Sequence, residues 1–526
     1  MNDAPPIRRA LISVSDKTGV ARFAEQLAAR GVTIVSTGGT ARMLRDAGLR
    51  VLSVKDVTGF PEMMDGRVKT LHPSVHGGIL ARRDSDDHLA ALRMHGIEPI
   101  DLVCVNLYPF EKTVAREGVT HDEAVEQIDI GGPCLVRAAA KNHDFVTIVT
   151  DAAQYERVIE DMDANNGATT FETRAELAAA AFARTAAYDA AIATHLADDC
   201  AFPAQRTSSL SRVATLRYGE NPHQRAAVYR DAARPPGLVG ARQLHGKALS
   251  YNNLNDAAAA VRLAADLRRI APDRAGACVI KHTNPCGAAI GENAASQAIA
   301  GDPLAAYGGI LAINRTLTLD DARAVAAPDR FFEVIVAPEY EPDALAMLQD
   351  RWKNVRLLEA DVFDEADDAP VVRTIPGGAL VQEADVIATD PTSWTHAAGP
   401  APTPDMIAAA SVVWTCARSL TSNAVAIGGV DPASPDGVRL FGAGAGQMDR
   451  VASCRLAIDK AGDLAQGAIA AGDAFFPFAD GPELLIDAGV MCLVHPGGSK
   501  RDEDTFALCQ RRGVTCLTTG VRHFRH

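Results

Sequence analysis

Two groups of residues in this 526-residue chain have the types and spacing to do chemistry. The first is the adjacent pair Lys281-His282, which follows the apolar run Cys278-Val-Ile and precedes Asn284-Pro-Cys-Gly287, read as a turn. A cationic donor beside a group that titrates near neutrality suits general acid–base catalysis. A strand end opening into a turn is a rigid place to hold it. Taken alone, such a pair is more often an edge strand carrying a solvated lysine and a structurally bonded histidine. The second group is spread over the first part of the chain: Lys69, Tyr108, Asp129 and Lys141. Amines, a phenol and a carboxylate around one pocket suit proton transfer and oxyanion stabilisation. Each of them singly is ordinary surface chemistry, so only joint placement gives them meaning.

Residues able to hold an anion flank both groups. Thr37-Gly38-Gly39-Thr40 combines two glycines that let the backbone approach a ligand, two hydroxyl donors and the start of a helix. The segment Thr58 to Gly78 carries Arg67, Lys69, Thr70, His72 and His76 with little periodicity, and reads as an ordered anion- or carbonyl-binding loop. Pro73 stands between its two histidines and no acidic third ligand is near, which argues against zinc there. Asn106 shares a strand end with Tyr108. In the second half, Arg217 is a candidate phosphate clamp, because the guanidinium fork matches phosphate oxygens. Asn253 either reads a ligand amide or caps the Ala-rich helix that follows; the sequence leaves both open.

Alternating strands and helices set where these groups sit. Arg9–Ser15, Val32–Ser36, Asp101–Tyr108 and Phe145–Val149 read as buried strands, with helices through Ala29 and over Ala41–Asp46. That order predicts a parallel sheet, with ligands at the carboxyl ends of its strands. Periodicity is lost over 200–211, which predicts a linker between a unit at 1–199 and another at 212–526. The glycine-rich Phe441–Arg450 reads as a loop leading into a helix. It lies late in the chain, outside the opening βαβ context of a dinucleotide fingerprint, so NAD is set aside. No clear sequence repeat marks the second half.

Composition narrows the classes. With 47% hydrophobic and 22% charged residues the chain is a globular one of two or more domains. A net charge of −14 without a basic block excludes nucleic acid as main partner. Ten scattered cysteines, none spaced as CxxC, fit a reducing compartment. The start of the chain lacks a leader-like apolar core, and no apolar run approaches the roughly 18 residues of a membrane span. A cytoplasmic enzyme is expected.

Taken together and in order, SVSDKTG, STGGT, GFPEMMDGRVKTLHP, NLYPF, IDIGGP, AAKNH, LRYGENPHQ, KHTNPCG, GAGQ, DAFFPF and the RHF-type tail closely resemble one family from about Ala10 to His526. It is the bifunctional purine-biosynthesis family in which AICAR transformylase is joined to IMP cyclohydrolase. The resemblance implies an α/β fold: a methylglyoxal-synthase-like parallel-sheet domain, then two cytidine-deaminase-like units. It implies formyl transfer from the co-substrate 10-formyltetrahydrofolate to AICAR, giving FAICAR, with His282 as base and Lys281 assisting the intermediate or protonating the departing N10. Asn423 would help hold the reacting groups, and Arg217 and Arg522 the nucleotide phosphate. Tyr218, Asn253, Gln447, Phe475 and Asp480 would line the nucleotide or folate pocket. Dehydrative ring closure of FAICAR to IMP would fall to Lys69, Tyr108, Asp129 and Lys141, with the Lys69-Thr70 backbone as oxyanion hole. Ser13, Lys17, Thr37, Gly38, Gly39, Thr40 and Arg67 would hold phosphate and ribose.

The resemblance also implies a homodimer, leaves a monovalent cation open and calls for no zinc. The chain departs from the family's usual run at Ala305, Tyr307, Thr415, Thr421 and Ala479, which bears on folate contacts. One rival reading is a zinc-dependent nucleobase deaminase, whose PCxxC motif is broken here after Pro285-Cys286. Another makes the N-terminal domain a regulatory effector-binding module.

Overall fold

The computed structural model describes residues 5–61, 63–197, 201–231, 234–361, 363 and 368–526. The chain divides into two compact units, Met1–Ser209 and Leu210–His526.

The first unit is built on strands β1 (Arg9–Ile12), β2 (Thr33–Ser36), β3 (Val51–Ser53), β4 (Leu102–Cys104) and β5 (Thr147–Val149), ordered β3-β2-β1-β4-β5 and parallel throughout. Short runs such as Leu102-Val-Cys104 are buried on both faces, as a sheet covered by helices on each side requires. Helix α1 (Val20–Ala29) supplies such cover, burying Val20, Phe23, Ala24 and Leu27 at helical spacing. Strand order reverses between β1 and β4. In open sheets of this kind the crevice at that reversal, outside the carboxyl ends, is where ligands bind.

Further helices of this unit are α2 (Gly38–Asp46), α3 (Pro73–Leu80), α4 (Gly131–Lys141) and α5 (Phe171–Leu196). Helix α3 corrects the expectation of a loop through Gly78. Pro73 sits in the first turn, where its missing N–H is no loss, and His72 Nδ1 accepts the Ser74 N–H at 3.1 Å. Gly78 hid the helix by breaking its apolar stripe: a Cβ there would lie 2.7 Å from the Glu98 carbonyl oxygen.

The second unit contains a hairpin, β6 (Leu210–Leu216) and β7 (Ala226–Asp231), and a twelve-stranded mixed sheet assembled from two copies of one motif. The first copy runs β8 (Arg242–His245), α6 (Tyr251–Ile270), β9 (Gly276–Lys281), β10 (Asn284–Ile290), α7 (Ala294–Ile299), β11 (Gly309–Ile313), α8 (Leu319–Val325), β12 (Phe332–Ala337), α9 (Pro342–Arg351) and β13 (Arg356–Glu359). After a second hairpin, β14 (Val371–Ile375) and β15 (Gly378–Gln382), the motif returns. It runs β16 (Thr395–Ala398), α10 (Pro404–Ser419), β17 (Val425–Asp431), β18 (Ser434–Gly444), α11 (Arg450–Ala461), β19 (Ile469–Gly472), α12 (Asp480–Asp487), β20 (Cys492–His495), α13 (Asp502–Arg512) and β21 (Thr515–Thr518).

Both copies pair their strands in the same sense, and β10 joins β18 antiparallel through Ala289–Arg439 and Ile290–Val438. Period-two alternation divides the core: Cys278 and Ile280 face α6 and α10, while Ala277 and Val279 face α7. The duplication, invisible as a sequence repeat, is explicit in the topology.

Two expectations are revised here. Asn284-Pro-Cys-Gly287 is the start of strand β10, and the chain turns one step earlier, at His282-Thr283. Pro285 is tolerated because it lies beside a register shift in the ladder. Gly287 is there because α7 packs so close that a Cβ would lie 1.7 Å from the Ala298 carbonyl oxygen. Likewise Phe441–Gly444 is the end of β18: Cβ atoms on Gly442 and Gly444 would meet backbone of α11 at 2.3 and 2.0 Å. These glycines serve strand–helix contact.

Candidate functional site

In the first unit the reversal between β1 and β4 gathers the anion-binding candidates. Ser13 follows β1 and its Oγ lies 2.7 Å from Thr37 Oγ1, the N-cap position of α2. Gly38 has φ +41°, in the left-handed region that glycine enters freely, and a Cβ on it would stand 3.3 Å from Lys69 Nζ. The Lys69 ammonium therefore lies against the Gly38-Gly39 start of α2, where N–H groups and the helix dipole favour an anion. Thr40 is buried and exchanges hydrogen bonds with Val14, and its Oγ1 also accepts from Lys17 Nζ at 3.2 Å. Burial lowers the Lys17 pKa, with the Asp16 charge opposing. Asn106 folds the turn after β1: its Oδ1 accepts the Asp16 N–H at 3.0 Å and its Nδ2 donates to Asp16 O at 2.9 Å. Arg67 is exposed and paired with Glu126.

Asp129 sits before α4, with its Oδ1 accepting the Gly132 N–H at 2.8 Å. Cβ atoms on Gly131 and Gly132 would lie 2.7 Å from Thr70 Oγ1 and 2.3 Å from Asp129 Oδ2, so both glycines are required by what crowds this helix start. Burial pushes the Asp129 carboxyl up, while the N–H groups of Gly132 and Tyr108 and the Lys69 charge pull it back. Tyr108 is pushed up by burial and by the Asp129 charge. Lys69, Thr70, Tyr108 and Asp129 thus share one neighbourhood. Lys141 does not: it is exposed at the last turn of α4, ~15 Å along the axis from Gly131 by the rise of an α-helix. Sequence reasoning missed Tyr188. Its buried hydroxyl accepts the Asp129 N–H at 2.7 Å and donates to Gln127 O at 2.9 Å, setting the backbone under the carboxylate. It ends the helical run Phe182-Ala-Arg-Thr-Ala-Ala-Tyr188, where a tyrosine among alanines reads as ordinary core.

In the second unit the Lys281–Asn284 hairpin has a two-residue loop, His282-Thr283, with φ +53° and +62°. Two successive positive φ values define the tight turn that hairpins usually fill with Asn-Gly, and side chains there cost on the order of 1 kcal/mol each. Strain of this sort collects at functional sites. Lys281 Nζ donates to Tyr307 O at 2.8 Å, so the carbonyl of a departing position orients the lysine. Lys281, Asn284, Cys286, Asp302, Ala305 and Lys460 line a cleft of about 280 Å³.

Asn284 ties the two copies of the motif together. Its Nδ2 donates to His282 O at 3.0 Å and its Oδ1 accepts the Thr421 N–H at 2.8 Å, two residues before Asn423. Asn423 Nδ2 donates to Gln447 O at 2.9 Å, and its Oδ1 accepts from Arg450 at 3.0 Å. Arg450 in turn pairs with the fully buried Asp473 at 2.6 Å. The tail joins this group: Ser422 N–H donates to Arg525 O at 2.9 Å, and His523 N–H to Asp473 O at 3.1 Å. His523 Nδ1 lies 2.6 Å from Asp385 Oδ2; burial raises the Asp385 carboxyl, but His523, the Arg418 charge and the Ile387 N–H together hold it below its ordinary value. Sequence reasoning missed Asn284, Ser422, Arg450, Asp473 and His523, although Ser422 stands between Thr421 and Asn423 and the others lie inside quoted stretches.

The remaining candidates are spread around this group. Phe475 is half-buried beside Asp473, and Asp480 is exposed at the first turn of α12, accepting the Gly481 N–H at 2.8 Å. Arg217 stacks over Tyr218 at 5.2 Å, and Arg522 over Phe524 at 4.4 Å. Neither arginine is bonded to the His282–Asn423 group among the described residues. Asn253 is buried in a capping box: its Oδ1 accepts the Ser250 N–H at 3.1 Å and its own N–H reaches Ser250 Oγ at 3.2 Å, so helix capping describes its place. Thr415 is buried and bonded to Thr389 and Ser411, and Ala479 precedes α12. Among the described residues no group of three or more His, Cys, Asp or Glu is placed to hold a metal ion, and no helix is long and apolar enough to cross a membrane.

Comparison with known proteins bears on both units. Residues 139–460 match the family described as AICARFT/IMPCHase bienzyme, and residues 19–134 the MGS-like domain. The bifunctional purine biosynthesis protein PurH of Rhodopirellula baltica is 48% identical over 536 residues, covering 100% of both chains. The protein of the same name from Roseobacter denitrificans is 48% identical over 541 residues, again covering 100% of both. That from Anoxybacillus flavithermus is 46% identical over 99% of this chain and 100% of its own. With matches of this length on both units, the chain belongs to the AICARFT/IMPCHase bienzyme family.

Proposed function

We propose that this chain carries out the two steps that complete IMP synthesis, one in each unit. In the second unit the AICAR amine attacks the formyl carbon of 10-formyltetrahydrofolate. His282 takes the proton that the amine loses, and Lys281 stabilises the tetrahedral oxyanion or hands a proton to N10 as the N10–carbon bond breaks. Asn423, held between Gln447 and Arg450, fixes the reacting groups, while Arg217 and Arg522 take the nucleotide phosphate. Gln447, Phe475, Tyr218 and Asp480 are assigned to the walls of the pocket. The observation that carries this reading is the Asn284 bridge, which brings the strained His282 turn and the Thr421–Asn423 segment to one place.

In the first unit the FAICAR carboxamide nitrogen attacks its own formyl carbon and water leaves, giving IMP. Both partners belong to one molecule, so orientation and charge stabilisation do most of the work. Lys69 and the Lys69-Thr70 backbone face the oxyanion, Asp129 and Tyr108 move the proton, and Ser13, Lys17 and the Thr37–Thr40 turn hold phosphate and ribose. The reading goes with a cytoplasmic homodimer. The β14–β15 hairpin supports pairing of two copies, since it exposes Val371, Val372, Ile375 and Leu380.

The test supplies purified protein with AICAR and 10-formyltetrahydrofolate and scores IMP. His282→Ala abolishes formyl transfer yet still closes the ring of supplied FAICAR. Equal loss of both reactions in a folded variant would sink the two-site assignment.

A further inference from the structure

We infer that Asp256 is a positioning residue for formyl transfer, holding the His282-Thr283 turn in the left-handed conformation from which His282 acts. The inference rests on the proposed role of His282. Asp256 lies in the second turn of α6, 26 residues before His282, and presents its two carboxylate oxygens to two successive backbone donors. Oδ2 accepts the His282 N–H at 3.3 Å and Oδ1 the Thr283 N–H at 2.7 Å. These are the two residues with φ +53° and +62°.

The chemistry of the arrangement is specific to a carboxylate. Positive φ is uncommon for His and strongly resisted by the β-branched Thr283, so the loop has an intrinsic pull toward other conformations. Two N–H groups pointing the same way are a small nest for a negative charge, and an acceptor-only group with two oxygens satisfies both at once. An amide cannot do the same: one of its two positions is itself a donor, and it would face an N–H. From the other side Asn284 holds the His282 carbonyl at 3.0 Å. The peptide planes on both sides of the His282 Cα are therefore held by Asp256 of the helix, the second also by Asn284 of the next strand, which fixes where the imidazole leaves the backbone.

Glycine offers a way to separate positioning from general stability, because it accepts positive φ without cost. Asp256→Asn is expected to lower kcat of formyl transfer about 10²-fold, the effect of misplacing a catalytic group by an ångström, with smaller changes in KM for AICAR and folate. Ring closure of supplied FAICAR stays at the wild-type rate in the same preparation. Adding Thr283→Gly to Asp256→Asn restores much of the lost kcat, since the turn then keeps its shape without the carboxylate. An Asp256→Asn enzyme with wild-type kcat would overturn the inference, provided that His282→Ala is inactive in parallel. So would a loss that Thr283→Gly fails to relieve, which is what a merely structural aspartate would give. Should His282→Ala retain formyl transfer, the underlying reading fails instead, and the two failures are told apart.

Discussion

A carboxylate held in a low-dielectric corner reports its own protonation, and Asp129 is such a group. Burial raises its pKa above the usual carboxylate value. Between its unfolded and folded pKa values the folded state binds the proton more tightly, so stability falls as pH rises through that window, and the burial cost is complete above it. Catalysis runs the other way if the ionised form moves the proton. Ring closure should therefore decline on acidification with an apparent pKa above that of an ordinary aspartate, and a pH profile with supplied FAICAR measures it. Asp129→Asn removes a desolvated charge and keeps an acceptor for one of its two N–H partners, Gly132 and Tyr108, so the lost bond and the relieved burial cost act against each other. It is expected to abolish ring closure with only a small change in Tm, and a marked drop in Tm would show the carboxylate to be structural.

At the level of strands and helices, glycines do more than punctuate. Gly444→Ala would drive a Cβ into the Ser453 carbonyl oxygen at 2.0 Å, forcing β18 and α11 apart. The cost should be about 1–3 kcal/mol in a urea titration, the usual range for overpacking. Gln447 and Arg450 lie just beyond this contact, so formyl transfer should fall while ring closure holds. Apolar runs made four of the five strands of the first unit legible in the sequence, the short Val51–Ser53 being missed, and the glycines of Thr37–Thr40 made the start of α2 after a strand legible. What escaped were features made by tertiary approach. Gly78, Gly287, Gly442 and Gly444 look like loop residues until the neighbouring backbone is seen. The His282-Thr283 turn carries no turn residue at all, because Asp256, distant in sequence, enforces it. Asn253 was undecided since an amide at that offset fits a cap or a ligand equally. Arg450 and Asp473 were missed as a pair because nothing in one dimension links residues from two different connections.

For the whole molecule, the division after Ser209 carries an expectation of independence. The first unit has a core of its own, from Ile7 to Tyr188. A fragment of residues 1–209 should fold and close the ring of supplied FAICAR at a rate near that of the full chain. A folded fragment that binds FAICAR but leaves it open would return the unit to a regulatory role. The second unit has no such simple cut, since its proposed site takes His282 and Asn284 from one copy of the motif and Asn423 and Asp473 from the other.

The anchoring of Ser422 and Asp473 to the backbone of Arg525 and His523 has a consequence for birth on the ribosome. On the proposed division of labour, the ring-closing unit has left the decoding centre by residue 209, whereas the formyl-transfer site waits for residues 523 and 525. At ~5–20 residues per second the interval is roughly 15–60 s. If that division holds, each nascent polypeptide owns its later reaction before its earlier one, and a chain terminated just short of residue 523 should consume FAICAR but not make it.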